Sequence, residues 1–302
     1  MAILVNEETR IIVQGITGRE AANFVRDGLD YGAKIVAGVT PGRGGRDVHG
    51  VPVYDTVRQA VAQGPVDASV LAVPAPFVRD AAFEALDAGV PLLVILTERV
   101  PRRDVVQVLE LARLRGARVI GPNSMGLIAP GKTKVGSVGG PAADAAKSFQ
   151  PGPVGIMSRS GGMTTEIASL LLQHGLGQST AVSMGGDPII GSTFVDLLPL
   201  WEADPETRAL VIFSEPGGRM ELALAEEVRR RGSRLPVVAF IAGAFADEMP
   251  GVRFGHAGSI VEGRADTVAE KRRALREAGI LVAEHLSEVP GLVRQALGQA
   301  VT

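Results

Sequence analysis

The chain contains no cysteine. Disulfides, thiolate metal sites and cysteine nucleophiles are therefore excluded, and we predict no metal site in this chain. Although 46% of the 302 residues are hydrophobic, no apolar run approaches the length that spans a membrane. The formal charge is only -2, which argues against a nucleic-acid partner or a membrane surface. These absences predict a globular protein, and the length of 302 residues is enough for two domains.

The N-terminal stretch MAILVNEETR is too short and too charged for a secretory signal. It indicates a cytoplasmic protein.

The order of the apolar runs predicts an α/β fold. Short β-branched runs alternate with amphipathic stretches, which is the pattern of βαβ units and a parallel sheet. The first half has strand patterns at RIIVQG, KIVAGV, ASVLAV, PLLVIL and ARVIG, and the alternation restarts at PVGIM. We predict two doubly wound domains, over residues 1–125 and 151–302. Residues 126–150 are rich in glycine and proline, and they read as a connection with room for a short hairpin.

Ligands of open parallel sheets bind beyond the carboxyl ends of the strands, so we expect the binding residues in the loops that follow the strands. The segment VQGITGRE runs from a strand into a helix through Gly15 and Gly18, whose amides could hold a phosphate. The full dinucleotide fingerprint is absent, and Arg43 stands where a nicotinamide enzyme has an acid for the ribose. A cation there suits a ligand with an extra ribose phosphate, such as coenzyme A. A plain tight turn remains the alternative.

Two loops of the second half have the same arrangement of small residues at the start of a helix. They are SRSGGMTTE and SMGGDPIIGSTF, in which Ser192 and Thr193 also suit helix caps. Helix N-termini attract anions. We therefore predict phosphate and carboxylate binding at Ser158, Ser160, Gly161, Gly162, Thr165, Gly191, Ser192 and Thr193.

Histidine is scarce, with four in the chain, and His256 lies among glycines in VRFGHAGSIVEG. A neutral imidazole is a nucleophile, and the hydrogen bond made by one ring nitrogen decides which nitrogen reacts. Glu215, at a strand end in FSEPGG, is a suitable orienting partner. We predict that His256 accepts a phosphoryl group with Glu215 beside it. A structural histidine is the alternative that composition leaves open.

The segments VQGITG, GVTPGRGG, VPAPF, GPNSMG, SRSG, GGDPIIGSTF and GHAGSI occur in this order. Through them the chain resembles the α-subunit of succinyl-CoA synthetase over essentially its whole length. The resemblance implies a Rossmann-like CoA-binding domain, then a flavodoxin-like ligase domain with a phosphohistidine at His256. The CoA site that it implies consists of Thr17, Gly18, Arg19, Glu20, Arg43, Pro74, Leu96, Thr97, Glu98 and Asn123.

The resemblance also implies the reaction, which joins an acid to CoA by way of the phosphohistidine. The partner would be an ATP-grasp β-subunit that binds ATP or GTP with Mg2+, in an αβ or α2β2 assembly. The acid stays open: succinate is placed first, but SGGM, GSVGG and FGHAG look more like ATP-citrate lyase and citryl-CoA synthetase. Thr165 also replaces a tyrosine of the succinate enzymes, so citrate and malate are alternatives. A non-catalytic CoA-binding regulatory module is the second alternative, and a dehydrogenase is opposed by Arg43.

Overall fold

The computed structural model describes residues 3–252, 254–256 and 258–299; Ala257 of the GHAG motif lies outside them. The first sheet contains β1 (Arg10–Gln14), β2 (Lys34–Val39), β3 (Asp47–Val48), β4 (Val51–Tyr54), β5 (Ala68–Leu71), β6 (Leu92–Ile95) and β7 (Arg118–Ile120). Their order is β3-β4-β2-β1-β5-β6-β7, and only β3 and β4 pair antiparallel. Without β3, this is the order of a Rossmann fold, with its switch point at β1.

The helices of the first half are α1 (Arg19–Asp30), α2 (Val57–Val61), α3 (Val78–Asp87) and α4 (Arg102–Arg115). Helix α1 buries Ala21, Phe24, Val25 and Gly28, which share one face. Helix α4 ends at Gly116, whose left-handed φ of 67° suits glycine.

The second sheet contains β8 (Gly126–Ala129), β9 (Thr133–Gly136), β10 (Pro151–Ser158), β11 (Gln178–Ser183), β12 (Ala209–Ser214), β13 (Val237–Ile241) and β14 (Leu281–Ala283). Their order is β14-β13-β12-β10-β11-β8-β9. From β10 to β14 the neighbours are parallel, and their order is that of a flavodoxin-like sheet. The predicted fold class, Rossmann-like and then flavodoxin-like, is confirmed.

The helices of the second half are α5 (Ala142–Ser148), α6 (Gly161–Gln173), α7 (Phe194–Ala203), α8 (Met220–Arg231), α9 (Val268–Glu277) and α10 (Val289–Ala296). None of the helices within the described residues is long and apolar enough to cross a membrane.

Residues 126–150, expected as a connection with room for a short hairpin, contain that hairpin and also take part in the second sheet. The hairpin forms, because β8 and β9 pair antiparallel, and α5 follows it. Strand β8 also pairs with β11, so the hairpin extends the second sheet. Leu127, Ile128 and Ala129 are completely buried there, and this burial of apolar surface explains why the segment joins the sheet.

One hydrophobic cluster links the two sheets. It includes Val13 and Val94 of the first sheet, Leu127 of the hairpin, and Met157 and Trp201 of the second half. The two sheets therefore share a core.

Candidate active site

His256 and Glu215 meet beyond the carboxyl ends of the second sheet. Glu215 directly follows β12, and its carboxylate oxygens lie 2.9 and 2.8 Å from His256 Nδ1. The His256 side chain is 30% exposed and the Glu215 side chain is 14% exposed. A carboxylate on Nδ1 holds the proton on that nitrogen, which leaves the Nε2 lone pair for reaction. The arrangement is that of a nucleophile with an orienting base.

The surroundings of the ring act on its protonation in opposite directions. The hydrogen bond that His256 Nδ1–H donates to the Glu215 carboxylate is the main reason why the pKa of His256 is raised above its ordinary value, while burial and the Arg159 guanidinium oppose the rise. Asp187 also favours the charged ring. Burial raises the pKa of Asp187 itself, although a hydrogen bond from Asn123 opposes this.

Three residues that the sequence analysis did not name line the histidine loop. A Cβ on Gly186 would lie 2.6 Å from Cγ and Cδ2 of His256, so the ring packs directly on this glycine. Asp187 follows it and is 6% exposed, and Arg159 is 3% exposed. Arg159 Nη2 would lie 2.7 Å from a Cβ on Gly258, beyond the histidine. The GGDP and SRSG motifs were the available signals, because each lies at the carboxyl end of a strand.

Helix α6 begins at the same sheet edge, after β10. Ser160 is its N-cap, and its hydroxyl accepts a hydrogen bond from the Met163 N–H. The Ser158 hydroxyl accepts one from the Ser160 N–H. The first N–H groups of a helix lack intrahelical partners, and a Cβ on Gly162 would meet nothing within 4 Å. Thr165, half-buried, lies one turn further along α6.

Among the described residues, the hydrogen bonds of Gly191, Ser192 and Thr193 go to partners other than the histidine. The Gly191 N–H donates to the Gly121 carbonyl, and the Ser192 hydroxyl donates to the carbonyl of Val119 in β7. Thr193 caps α7 through a reciprocal pair of hydrogen bonds with Asp196. The hydrogen bonds of Gly191 and Ser192 therefore attach the segment before α7 to the first half of the chain.

A cleft of about 920 Å³ lies beyond the carboxyl ends of the first sheet, within the size range of small-molecule sites. Its lining includes eight of the ten residues predicted for CoA, namely Gly18, Arg19, Glu20, Pro74, Leu96, Thr97, Glu98 and Asn123. It also includes Ser137 and Gly140, so residues beyond position 125 line the cleft too. The N-terminus of α1, with Arg19, suits the phosphates of CoA.

Thr17 and Arg43 are not among the residues that line this cleft. The Thr17 hydroxyl donates to the Thr40 hydroxyl at 3.3 Å. Arg43 lies on the exposed loop after β2, where Asp55 accepts its backbone N–H. Gly15 makes the turn before α1 possible, because its φ is +83° and a Cβ would lie 2.5 Å from the Ala72 carbonyl oxygen.

Asn123 connects the cleft to the histidine. It has a left-handed φ of 56°, and its N–H donates to the Thr97 carbonyl while its own carbonyl accepts from the Gly186 N–H. Its side-chain amide donates to Asp187 at 3.0 Å. No group of three or more His, Cys, Asp or Glu within the described ranges could hold a metal ion.

The comparisons with known proteins agree with this geometry. The model of the CoA binding domain matches residues 6–99, and the CoA-ligase model matches residues 157–281. Subunit alpha 1 of the ADP-forming succinate–CoA ligase of Archaeoglobus fulgidus is 48% identical over 98% of this chain and 99% of its own. The chain belongs to the succinate–CoA ligase α-subunit family. The predicted resemblance is thereby confirmed.

Other members of the family have different names. The ADP-forming sulfoacetate-CoA ligase subunit SauD of Bilophila wadsworthia is 41% identical over 99% of this chain and 100% of its own. A solved ATP citrate lyase from Methanothrix soehngenii, in complex with citrate and coenzyme A, has a TM-score of 0.90 at 26% identity. It matches 98% of this chain, which spans 50% of that longer chain. Members of the family are CoA ligases with a β-subunit partner, and CoA binding by the first domain follows from the family.

Proposed function

We propose that this chain is the CoA-binding and phosphohistidine subunit of an ADP-forming succinate–CoA ligase. The observation that carries the proposal is the pair of Glu215 oxygens at 2.9 and 2.8 Å from His256 Nδ1. A non-catalytic regulatory module would have no need for this pair at the end of β12. An ATP-grasp β-subunit would provide the nucleotide, ATP rather than GTP, with its Mg2+.

The chain's own residues perform the transfer as follows. His256 Nε2 attacks the γ-phosphorus of the nucleotide on the partner, and ADP leaves as the new N–P bond forms. Glu215 keeps the Nδ1 proton in place and stabilises the positive charge that the ring acquires. A carboxylate oxygen of the acid then attacks the phosphorus, the N–P bond breaks, and His256 returns to the neutral form.

The cleft and the α6 N-terminus would hold the other reactants. Coenzyme A bound in the cleft supplies the thiol that displaces phosphate from the acyl phosphate and forms the thioester. The N–H groups of Gly161 and Gly162, with the hydroxyl groups of Ser158, Ser160 and Thr165, would bind the carboxylates. Asn123 would link the two sites.

Succinate is the acid that we propose, because several relatives with at least 40% identity are named for it. Citrate is the second candidate. The open space beside Gly162 and the hydroxyl of Thr165 suit a larger, hydroxylated acid, and the similar solved structure is a citrate lyase. We propose a cytoplasmic αβ or α2β2 enzyme.

The test is labelling of the complex between this chain and its β-subunit with γ-³²P-ATP and Mg2+. We expect an acid-labile, base-stable label on this chain. His256→Asn should abolish it, whereas the matched control His285→Asn, at an exposed histidine, should not. Label on the His256→Asn protein would reject the mechanism. Comparison of kcat/KM for succinate, citrate, malate and sulfoacetate then identifies the acid, and a tenfold preference corresponds to about 1.4 kcal/mol.

A further inference from the structure

A buried ion pair lies directly behind the loop that carries Glu215. Lys271 of α9 and Glu221 of α8 are 2.8 Å apart, and both side chains have 0% exposure. Removing two charges from water is costly, and such pairs can often be replaced by apolar side chains without loss of stability. The ion pair is therefore weak evidence for a role in stability alone.

The Lys271 ammonium donates to the Glu215 carbonyl at 2.8 Å and to the Gly217 carbonyl at 2.6 Å. Its ion-pair contact with Glu221 is to Oε2 of the carboxylate. The second oxygen of Glu221 accepts the Ser214 hydroxyl, at the last residue of β12. Glu221 therefore binds the chain at Ser214, just before Glu215, and Lys271 binds it at the Glu215 and Gly217 carbonyl groups.

The loop over residues 214–217 contacts the loop that carries His256 at two places. Glu215 binds His256 Nδ1 through its side chain. Gly217, with a φ of +82°, approaches the far side so closely that a Cβ would lie 2.3 Å from the Gly258 carbonyl oxygen and 2.7 Å from that of Ile260. A shift of this loop would therefore move the partner of His256 and the support of its loop together.

We propose that Lys271, paired with Glu221, is a positioning residue for the phosphorylation of His256. By holding the carbonyl groups of Glu215 and Gly217, it sets the direction from which the Glu215 carboxylate meets Nδ1. This rests on the proposed function, in which His256 Nε2 is the nucleophile. Correct placement of the orienting base is worth large factors in rate, since small displacements of catalytic groups are costly.

A purely structural ion pair makes a different prediction, and a double substitution separates the two. Lys271→Met alone leaves a buried, unpaired carboxylate, which unfolds proteins for reasons unrelated to catalysis. Lys271→Met with Glu221→Gln removes both charges and keeps the volume and an acceptor for Ser214. A second double variant, Lys271→Gln with Glu221→Gln, keeps an N–H group for the two carbonyls. The control is Lys147→Met, at a lysine with 76% side-chain exposure.

Three quantities are measured: the midpoint of thermal unfolding, the single-turnover rate of His256 labelling in the complex with the β-subunit, and the Nδ1–H resonance of His256 in the full chain by NMR. Arg159 and Asp187, which also face the ring together with Glu215, are unchanged in every variant. For the Met/Gln variant we expect a midpoint near that of the wild type, a labelling rate at least tenfold lower and a shifted resonance. The Gln/Gln variant should regain part of the rate at the same midpoint.

A wild-type rate and resonance in the Met/Gln variant would overturn the proposal. So would failure of both double variants to fold, since the pair would then serve the fold itself. Absence of label on the wild-type chain would instead reject the proposed function. The NMR comparison does not need the β-subunit, so it tests the placement of Glu215 in either case.

Discussion

At the residue scale, His256 meets two opposing demands. The hydrogen bond that its Nδ1–H donates to Glu215 raises the pKa of His256, which favours the protonated ring. Attack on phosphorus needs the neutral ring, because only this form has a lone pair on Nε2. Glu215 therefore favours the charge that develops during the transfer, at the cost of fewer neutral rings at low pH.

Glu215→Gln should lower the pKa of His256, because the amide cannot stabilise the imidazolium as a carboxylate does. We expect the acidic limb of the rate–pH profile for labelling to move to lower pH, with a lower plateau. Since the pKa of the folded state is raised, the stabilisation is fully present below the unfolded value near 6.5 and is lost as pH rises through the folded pKa. The variant should therefore lose more stability at pH 5 than at pH 8.

NMR titration of the His256 ring and urea unfolding at the two pH values measure these effects. Glu262→Gln, at an exposed residue, is the control. An unchanged pKa of His256 in Glu215→Gln would contradict this account.

Gly186→Ala should displace the His256 ring, because the new Cβ would lie 2.6 Å from it. We expect labelling to fall at least tenfold while the chain remains folded. Gly263→Ala is the matched control, since it lies after the same loop and a Cβ there meets nothing within 4 Å. A wild-type labelling rate in Gly186→Ala would show that the ring does not use this position when it reacts.

The sequence could indicate His256 and Glu215, because a rare histidine among glycines and an acid at a strand end are local features. For Gly186, Arg159 and Asp187 the signals were the GGDP and SRSG motifs alone, because the importance of these residues depends on which loops meet in space. Arg159 precedes α6 and Asp187 follows β11, and only the strand order places them together.

At the element scale, two helices with similar N-terminal sequences have different surroundings. At the start of α7, the N–H and the hydroxyl of Thr193 donate to the Asp196 carboxylate at 2.8 and 2.6 Å, respectively. The Asp196 N–H donates in return to the Thr193 hydroxyl. Helix α6 begins with Ser160 and two glycines at the sheet edge that holds Glu215. Local pattern predicts both caps but does not say which helix start faces the reaction.

Thr193→Ala should cost about 0.5–2 kcal/mol of stability, as loss of an N-cap does, without changing the KM for the acid. Ser160→Ala should cost a similar amount and also raise this KM, because its hydroxyl lies beside the proposed carboxylate site. Urea unfolding and steady-state kinetics of the complex provide both values. An increase in KM in Thr193→Ala alone would move the acid to α7.

The β8–β9 hairpin was expected within residues 126–150, but its pairing with β11 in the second sheet was not predicted. Its strands have four residues each, and glycine and proline flank them, so their pattern resembles a loop. The pairing partner, β11, begins 49 positions after β8 ends (178 minus 129). Such a nonlocal contact leaves no periodic signal, whereas the long alternating segments were predictable because each buries its own apolar residues.

At the scale of the whole molecule, the cleft that we propose for CoA is lined by both halves. Gly18, Arg19 and Thr97 come from the first domain, and Ser137 and Gly140 follow the hairpin of the second sheet. The main hydrophobic cluster also joins both sheets. A ligand in the cleft should therefore stabilise the entire chain.

We predict that the chain unfolds in one transition and that CoA shifts the whole transition. Trp201, the only tryptophan, is fully buried in the shared core, so its fluorescence reports on the second half. Circular dichroism reports on both halves, and the two curves should coincide. At 100 times its Kd, CoA should add about 2.7 kcal/mol, or on the order of 5 °C in Tm, to both. A CoA-induced shift in circular dichroism with an unchanged Trp201 transition would mean that the halves unfold separately and that the shared core does not couple them.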